Sequence, residues 1–227
     1  MDKKRVTLFA GHYGSGKTNI ALNYARRLKA EGVGSVAIAD LDIVNPYFRT
    51  KDSAADLAAE GIRLVVSDYA NSNVDFPAMP KEIYGLVADR DCRVVMDVGG
   101  DDRGALALGR YVPDLLAEND YEMLAVVNAS RPLTSTVADT VDVLREVEAA
   151  CRLPFTGIVN NTNLGQESTA QVVLDSLAYA NGVADAMGLP LRFTCVAESL
   201  AAELSNQVPN LLPLKIQRLY YHFDNVE

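Results

Sequence analysis

The stretch AGHYGSGKTN at residues 10–19 contains the pattern GxxxxGKT, placed directly after the apolar run VTLFA and directly before KTNIALNYARRLKA. This arrangement requires a strand to end, a glycine-rich turn to form and a helix to begin within eight residues. Gly11, Gly14 and Gly16 leave backbone N–H groups able to turn inward around an anion, and the following helix offers its positive N-terminus to the same point. The chemistry implied is phosphate binding. Lys17 is placed to reach β- and γ-phosphates, and Thr18 to give a hydroxyl to Mg²⁺. The expected cradle is Gly11, Gly14, Ser15, Gly16, Lys17, Thr18 and Asn19.

Beyond the loop, apolar β-branched runs recur at 6–10, 35–40, 63–67, 93–98, 121–128, 155–160 and 191–196. Continuous apolar runs of this kind mark parallel strands covered on both faces. Helical patterns fall between them. In the segment after the loop, Ile20, Ala21, Tyr24, Ala25 and Leu28 form one stripe, with Gly32 as a stop signal. Further helices fit 51–60, 78–89, 104–117, 134–150 and 167–187, with Pro113 expected to disturb the one at 104–117. The expected fold is a doubly wound α/β domain with a mostly parallel, roughly seven-stranded sheet and helices on both faces. At 227 residues and 49% hydrophobic content, with no linker-like stretch, residues 1–227 read as one domain.

Charge and cysteine content narrow the function classes. A net charge of −9 argues against broad attraction to nucleic acid or anionic lipid. Cys92, Cys151 and Cys195 are isolated and odd in number, which indicates neither a disulfide framework nor a paired-cysteine metal site. The apolar run near the N-terminus is too short for a signal-peptide core, so a cytoplasmic location is expected.

In a doubly wound sheet, ligands bind beyond the carboxyl ends of the strands. The second strand ends in ADLDIVNPYFR, bringing Asp40 and Asp42; the fourth ends in VVMDVGGDDRGALALGR, bringing Asp97, Asp101 and Asp102; the sixth ends in GIVNNTN, bringing Asn160 and Asn161. An acid closing an apolar strand can hold Mg²⁺ through water beside the phosphates, and Asp97 fits that role best. Either Asp40 or Asp42 can face the reacting water. Gly99 and Gly100 would let the neighbouring loop approach a γ-phosphate and rearrange when it leaves.

Together, the loop, the strand-end DLD and the DVGGDD segment resemble the MinD/ParA/nitrogenase-iron-protein class of P-loop ATPases, the SIMIBI class, whose nucleotide-binding domains include the CobQ/CobB group. The resemblance covers most of the chain in the correct order. It implies ATP and Mg²⁺ as ligands, with Lys17, Asp42 and Asp101 as catalytic residues: Asp42 would orient or activate the attacking water, and Asp101 would sit in a switch loop. It further implies that Asp97 holds Mg²⁺ through water and that Asn160 or Asn161 lies against the adenine. The segment NNTN ends in Asn163 where a guanine-reading pattern has aspartate, which favours ATP. An ATP-dependent homodimer and a client protein are the partners implied. One departure stands out, because His12 occupies the place where the class commonly carries a second lysine.

The function expected is a slow Mg²⁺-dependent ATPase acting as a switch for a partner protein. The alternative is a biosynthetic enzyme of the cobyrinate diamide synthase or dethiobiotin synthetase type, which uses ATP to activate a small carboxylate. For the C-terminal segment LLPLKIQRLYYHF, the expectation is a helix packed on the sheet.

Overall fold

The fold comes from a computed structural model, which describes residues 4–41, 51–66, 81–99 and 108–215. In chain order the elements are β1 (Val6–Ala10), α1 (Lys17–Ala30), β2 (Ser35–Asp40), α2 (Lys51–Ala59), β3 (Ile62–Val66), α3 (Lys81–Ala88), β4 (Cys92–Asp97), α4 (Val112–Glu118), β5 (Tyr121–Val127), α5 (Val137–Cys151), β6 (Gly157–Asn160), α6 (Ala170–Met187), β7 (Leu191–Ala197), α7 (Ala201–Leu204) and β8 (Leu211–Leu214). All eight strands pair in parallel, in the order β3-β2-β4-β1-β5-β6-β7-β8.

Alternation along the strands sorts side chains onto two cores. In β1, Val6, Leu8 and Ala10 face a layer that includes Ile83, Leu86, Tyr111, Leu115, Val141 and Leu144 from α3, α4, α5 and the residues before α4. Phe9 points the other way, onto Ile20, Tyr24, Ala25 and Leu28 of α1. There its ring meets Tyr24 edge-on at 5.5 Å, and Tyr24 stacks on Phe193 at 6.1 Å. Both faces of the sheet are thus covered, as parallel strands require.

Two expectations are corrected. The sheet has an eighth strand, Leu211–Leu214, where the sequence reading placed the start of a packed helix. Pro213 explains the difference: it breaks helices, whereas a strand with a neighbour on one side only tolerates its missing N–H. Asn23 of α1 secures this segment, its side chain accepting from the Lys215 N–H at 2.9 Å and donating to the Lys215 carbonyl at 3.2 Å. Residues 216–227 lie outside the described residues. Pro113, expected to disturb a helix, instead lies in the first turn of α4, where its missing N–H has no intrahelical acceptor to lose.

Helices α5 and α6 begin on threonine caps, Thr136 accepting from the Asp139 N–H and Thr169 from the Val172 N–H. No helix among the described residues is long and apolar enough to cross a membrane.

Strand order places the site. From the central β1 the chain builds β2, β3 and β4 on one side and β5 to β8 on the other. The order therefore reverses between β1 and β5, which opens a crevice at their carboxyl ends. The loop after β1 emerges there.

Candidate functional site

The loop at residues 11–16 is held by close approaches that only glycine permits. A β-carbon on Gly11 would stand 2.6 Å from the Val126 carbonyl oxygen of β5, and one on Gly16 would stand 2.3 Å from the amide nitrogen of Asn161. Gly16 also has φ +93°, a left-handed conformation at the point where α1 begins. The Asn161 amide donates to the Ser15 carbonyl at 2.7 Å, so the end of β6 grips the loop directly. Inside the loop, the Ser15 N–H donates to the His12 carbonyl at 3.2 Å. Lys17 is buried, and its ammonium donates to the same carbonyl at 3.1 Å.

The Ser15 hydroxyl is buried without a hydrogen-bond partner among the described residues. Buried hydroxyls are ordinarily bonded, so this atom is suited to an incoming acceptor.

At the far side of α1's first turn, the Thr18 hydroxyl donates to a carboxylate oxygen of Asp97 at 2.5 Å. Asp97 ends β4, is 1% exposed, and is paired in register with Phe9 of β1 on one side and Asp40 of β2 on the other. In-register parallel neighbours share a face, so Asp40 and Asp97 both point to the side covered by α1. The Leu41 N–H donates to the Asp97 carbonyl at 2.8 Å, holding the two strand ends together.

Hard oxygen donors at Thr18 and Asp97 fit Mg²⁺, an ion that takes few protein ligands and completes its shell with phosphate and water. Among the described residues no group of three His, Cys, Asp or Glu side chains converges on a point.

From the loop a cleft runs toward β7, lined at one end by Gly14, Ser15, Gly16 and Asn19 and at the other by Cys195, Val196, Ala197 and Leu200. Its volume is about 150 Å³. Polar groups of the loop thus give way to an apolar wall, the arrangement expected for a ligand with an anionic and a flat apolar end.

The residues singled out from sequence are distributed as follows. Gly11, Gly14, Ser15, Gly16, Lys17, Thr18 and Asn19 form the loop and first turn, with Asp97 beside Thr18. Of the two asparagines, Asn161 lines the cleft, whereas Asn160 is fully buried and donates to the Ser176 hydroxyl of α6 at 2.8 Å. Asn163 turns back on its own loop, donating to the Asn161 carbonyl and accepting from the Gly165 N–H. Asp42 and Asp101 lie outside the described residues, as do Gly100 and Asp102.

Comparisons with known proteins bear on the fold. No protein-family model matches the chain, and no curated protein matches it. Among solved structures, it is similar to the signal recognition particle receptor FtsY from Elizabethkingia anophelis in complex with GDP, at 18% identity and TM-score 0.55, covering 87% of this chain and 58% of that one. It is similar to chloroplast FtsY from Physcomitrella patens at 20% identity and TM-score 0.57, covering 86% and 59%. The 54 kDa signal recognition particle protein from Aeropyrum pernix K1 in complex with GDP matches at 17% identity and TM-score 0.55, covering 83% and 40%.

The fold is that of a P-loop NTPase. At these identities the likeness is one of architecture, and the chain spans less than three-fifths of the length of these matched chains.

Within this P-loop fold, two parts of the cleft escaped sequence reasoning. The wall at Cys195, Val196 and Ala197 comes from the end of β7, and Arg131 comes from the loop after β5. The first closes a strand and the second follows one, so the rule that exposed the acids at β2 and β4 would have found them if applied to every strand.

Proposed function

We propose that the chain is a Mg²⁺-dependent ATP-binding protein that hydrolyses ATP slowly and whose nucleotide state is read by a partner protein, in the manner of the MinD/ParA class. The observation that carries this reading is the contact between Thr18 and Asp97 at the mouth of a glycine cradle containing Lys17. In that arrangement the loop N–H groups and Lys17 hold the β- and γ-phosphates, while Thr18 binds Mg²⁺ directly and Asp97 binds it through water. Bound Mg²⁺ would supply charge neutralisation at the phosphates. Asp42 orients the attacking water, and Asp101 belongs to the loop that responds to loss of the γ-phosphate.

The base lies along the Cys195–Ala197 wall beside Asn161. ATP is preferred over GTP because Asn163 brings an amide, already committed to its own loop, where guanine recognition calls for a carboxylate. Residues 1–227 act as one cytoplasmic nucleotide-binding unit that pairs with a second copy when ATP is bound.

Phosphate release from purified protein tests the reading. ATP with Mg²⁺ alone should support slow turnover, and GTP should support less. Turnover that appears only when a small carboxylate is added would instead establish an ATP-dependent ligase.

A further inference from the structure

Arg131 is the only charged residue among the described residues that line the cleft. Its guanidinium lies over the P-loop, with Nε and Cζ 3.8 and 3.9 Å from the point a β-carbon would occupy on Gly14. The side chain is exposed and makes no hydrogen bond or ion pair with any of the described residues. In a chain with 30 acidic and 21 basic side chains, a cation at a cleft mouth with no carboxylate beside it among the described residues is suited to an anion from solution.

The segment carrying this side chain is fixed. Pro132 follows Arg131, whose backbone is extended at φ −106° and ψ 135°. The Arg131 N–H donates to the Asn128 carbonyl at 3.2 Å, and the Thr134 hydroxyl donates to that carbonyl at 2.8 Å. The Thr134 carbonyl in turn accepts from Tyr179 of α6 at 2.8 Å. On the other side, the Ala129 N–H donates to the Thr162 hydroxyl at 3.0 Å. The arginine is thus an exposed cation on a hydrogen-bonded backbone segment, which limits the ordering cost to the side chain when it meets a ligand.

Resting on the reading of the cleft as a nucleotide site, we propose that Arg131 is a phosphate-binding residue that closes over Gly14 and donates to the β-phosphate of the bound nucleotide. Lys17 and Thr18 serve the loop from the α1 side. Arg131 reaches it from the β5 side, across the cleft that leads to the base, and so meets the phosphate chain on its opposite flank. A planar fork of N–H donors suits this contact better than an ammonium.

The test compares ADP and AMP binding by calorimetry in wild type, Arg131→Ala and Arg131→Lys, with thermal melts to show that each variant folds. Arg131→Ala should weaken ADP by about tenfold or more while leaving AMP unchanged, and lysine should recover part of the loss. Added salt should weaken ADP binding more steeply in wild type than in the alanine variant. Wild type that binds ADP with an alanine variant equal to it overturns this inference alone, as does an equal loss for ADP and AMP. Wild type that binds no nucleotide overturns the inference and the nucleotide reading together.

Discussion

The Thr18 hydroxyl donates to Asp97 across 2.5 Å, joining the first turn of α1 to the carboxyl end of β4. Neither residue could do this without the strand order. Asp97 is brought to Thr18 because β4 lies beside β1, although the two residues are 79 positions apart.

If this pair holds Mg²⁺ beside the phosphates, Asp97→Asn should remove the gain in ATP affinity that Mg²⁺ confers, by about 10–100-fold, while binding without the ion changes little. Thr18→Ser should behave as wild type because it keeps the hydroxyl. Titrations with and without Mg²⁺ provide the check. An undiminished Mg²⁺ effect in Asp97→Asn would move the metal elsewhere.

Asn161 is expected to set the shape of the P-loop through its bond to the Ser15 carbonyl. Asn161→Ala removes that donor from a buried position and should cost about 1–3 kcal/mol in urea denaturation. It should also weaken ATP, because the loop loses its preorganisation. Unchanged denaturation and unchanged ATP affinity would show the contact to be incidental.

A second buried cluster makes stability depend on pH far from the site. Arg5 pairs with Glu118 of α4 while donating to the carbonyls of Val87 at 2.7 Å and Asp89 at 3.0 Å. The hydrogen bond from Arg5, offset in part by burial and aided by Arg90, holds the Glu118 carboxyl below its usual range. A depressed carboxylate contributes stability above its unfolded value of about 4.3, and the contribution is lost as pH falls through the lower folded value. Glu118→Gln should therefore destabilise the fold by about 3–5 kcal/mol at neutral pH, with the gap to wild type closing in acid. A gap that stays constant from neutral to acid pH would rule this out.

The fold was legible because both of its signals are local. Apolar runs marked seven strands, and the GxxxxGKT loop marked the β1–α1 junction. The eighth strand was obscured by Pro213, whose tolerance depends on an edge position that only the completed sheet defines. Strand-end reasoning also found Asp97, but its contact with Thr18 depends on β1 and β4 being neighbours, which is a property of strand order. For the paired asparagines, sequence left two candidates. The sheet separates them because successive residues leave a strand on opposite sides, Asn160 toward Ser176 and Asn161 toward Ser15. Arg131 carried no motif, and its place over Gly14 is a long-range contact between two loops.

If the P-loop binds the phosphates of ATP, Lys17 carries much of the affinity. Calorimetric titration of Mg-ATP into wild type and Lys17→Ala, with the fold of each verified by its thermal melt, measures this directly. Saturable one-site binding to wild type is expected, with a loss of about 10–100-fold or more in the variant, the effect of removing a charge-assisted bond to phosphate. Equal affinity in the two folded proteins, or no binding to wild type, would contradict it.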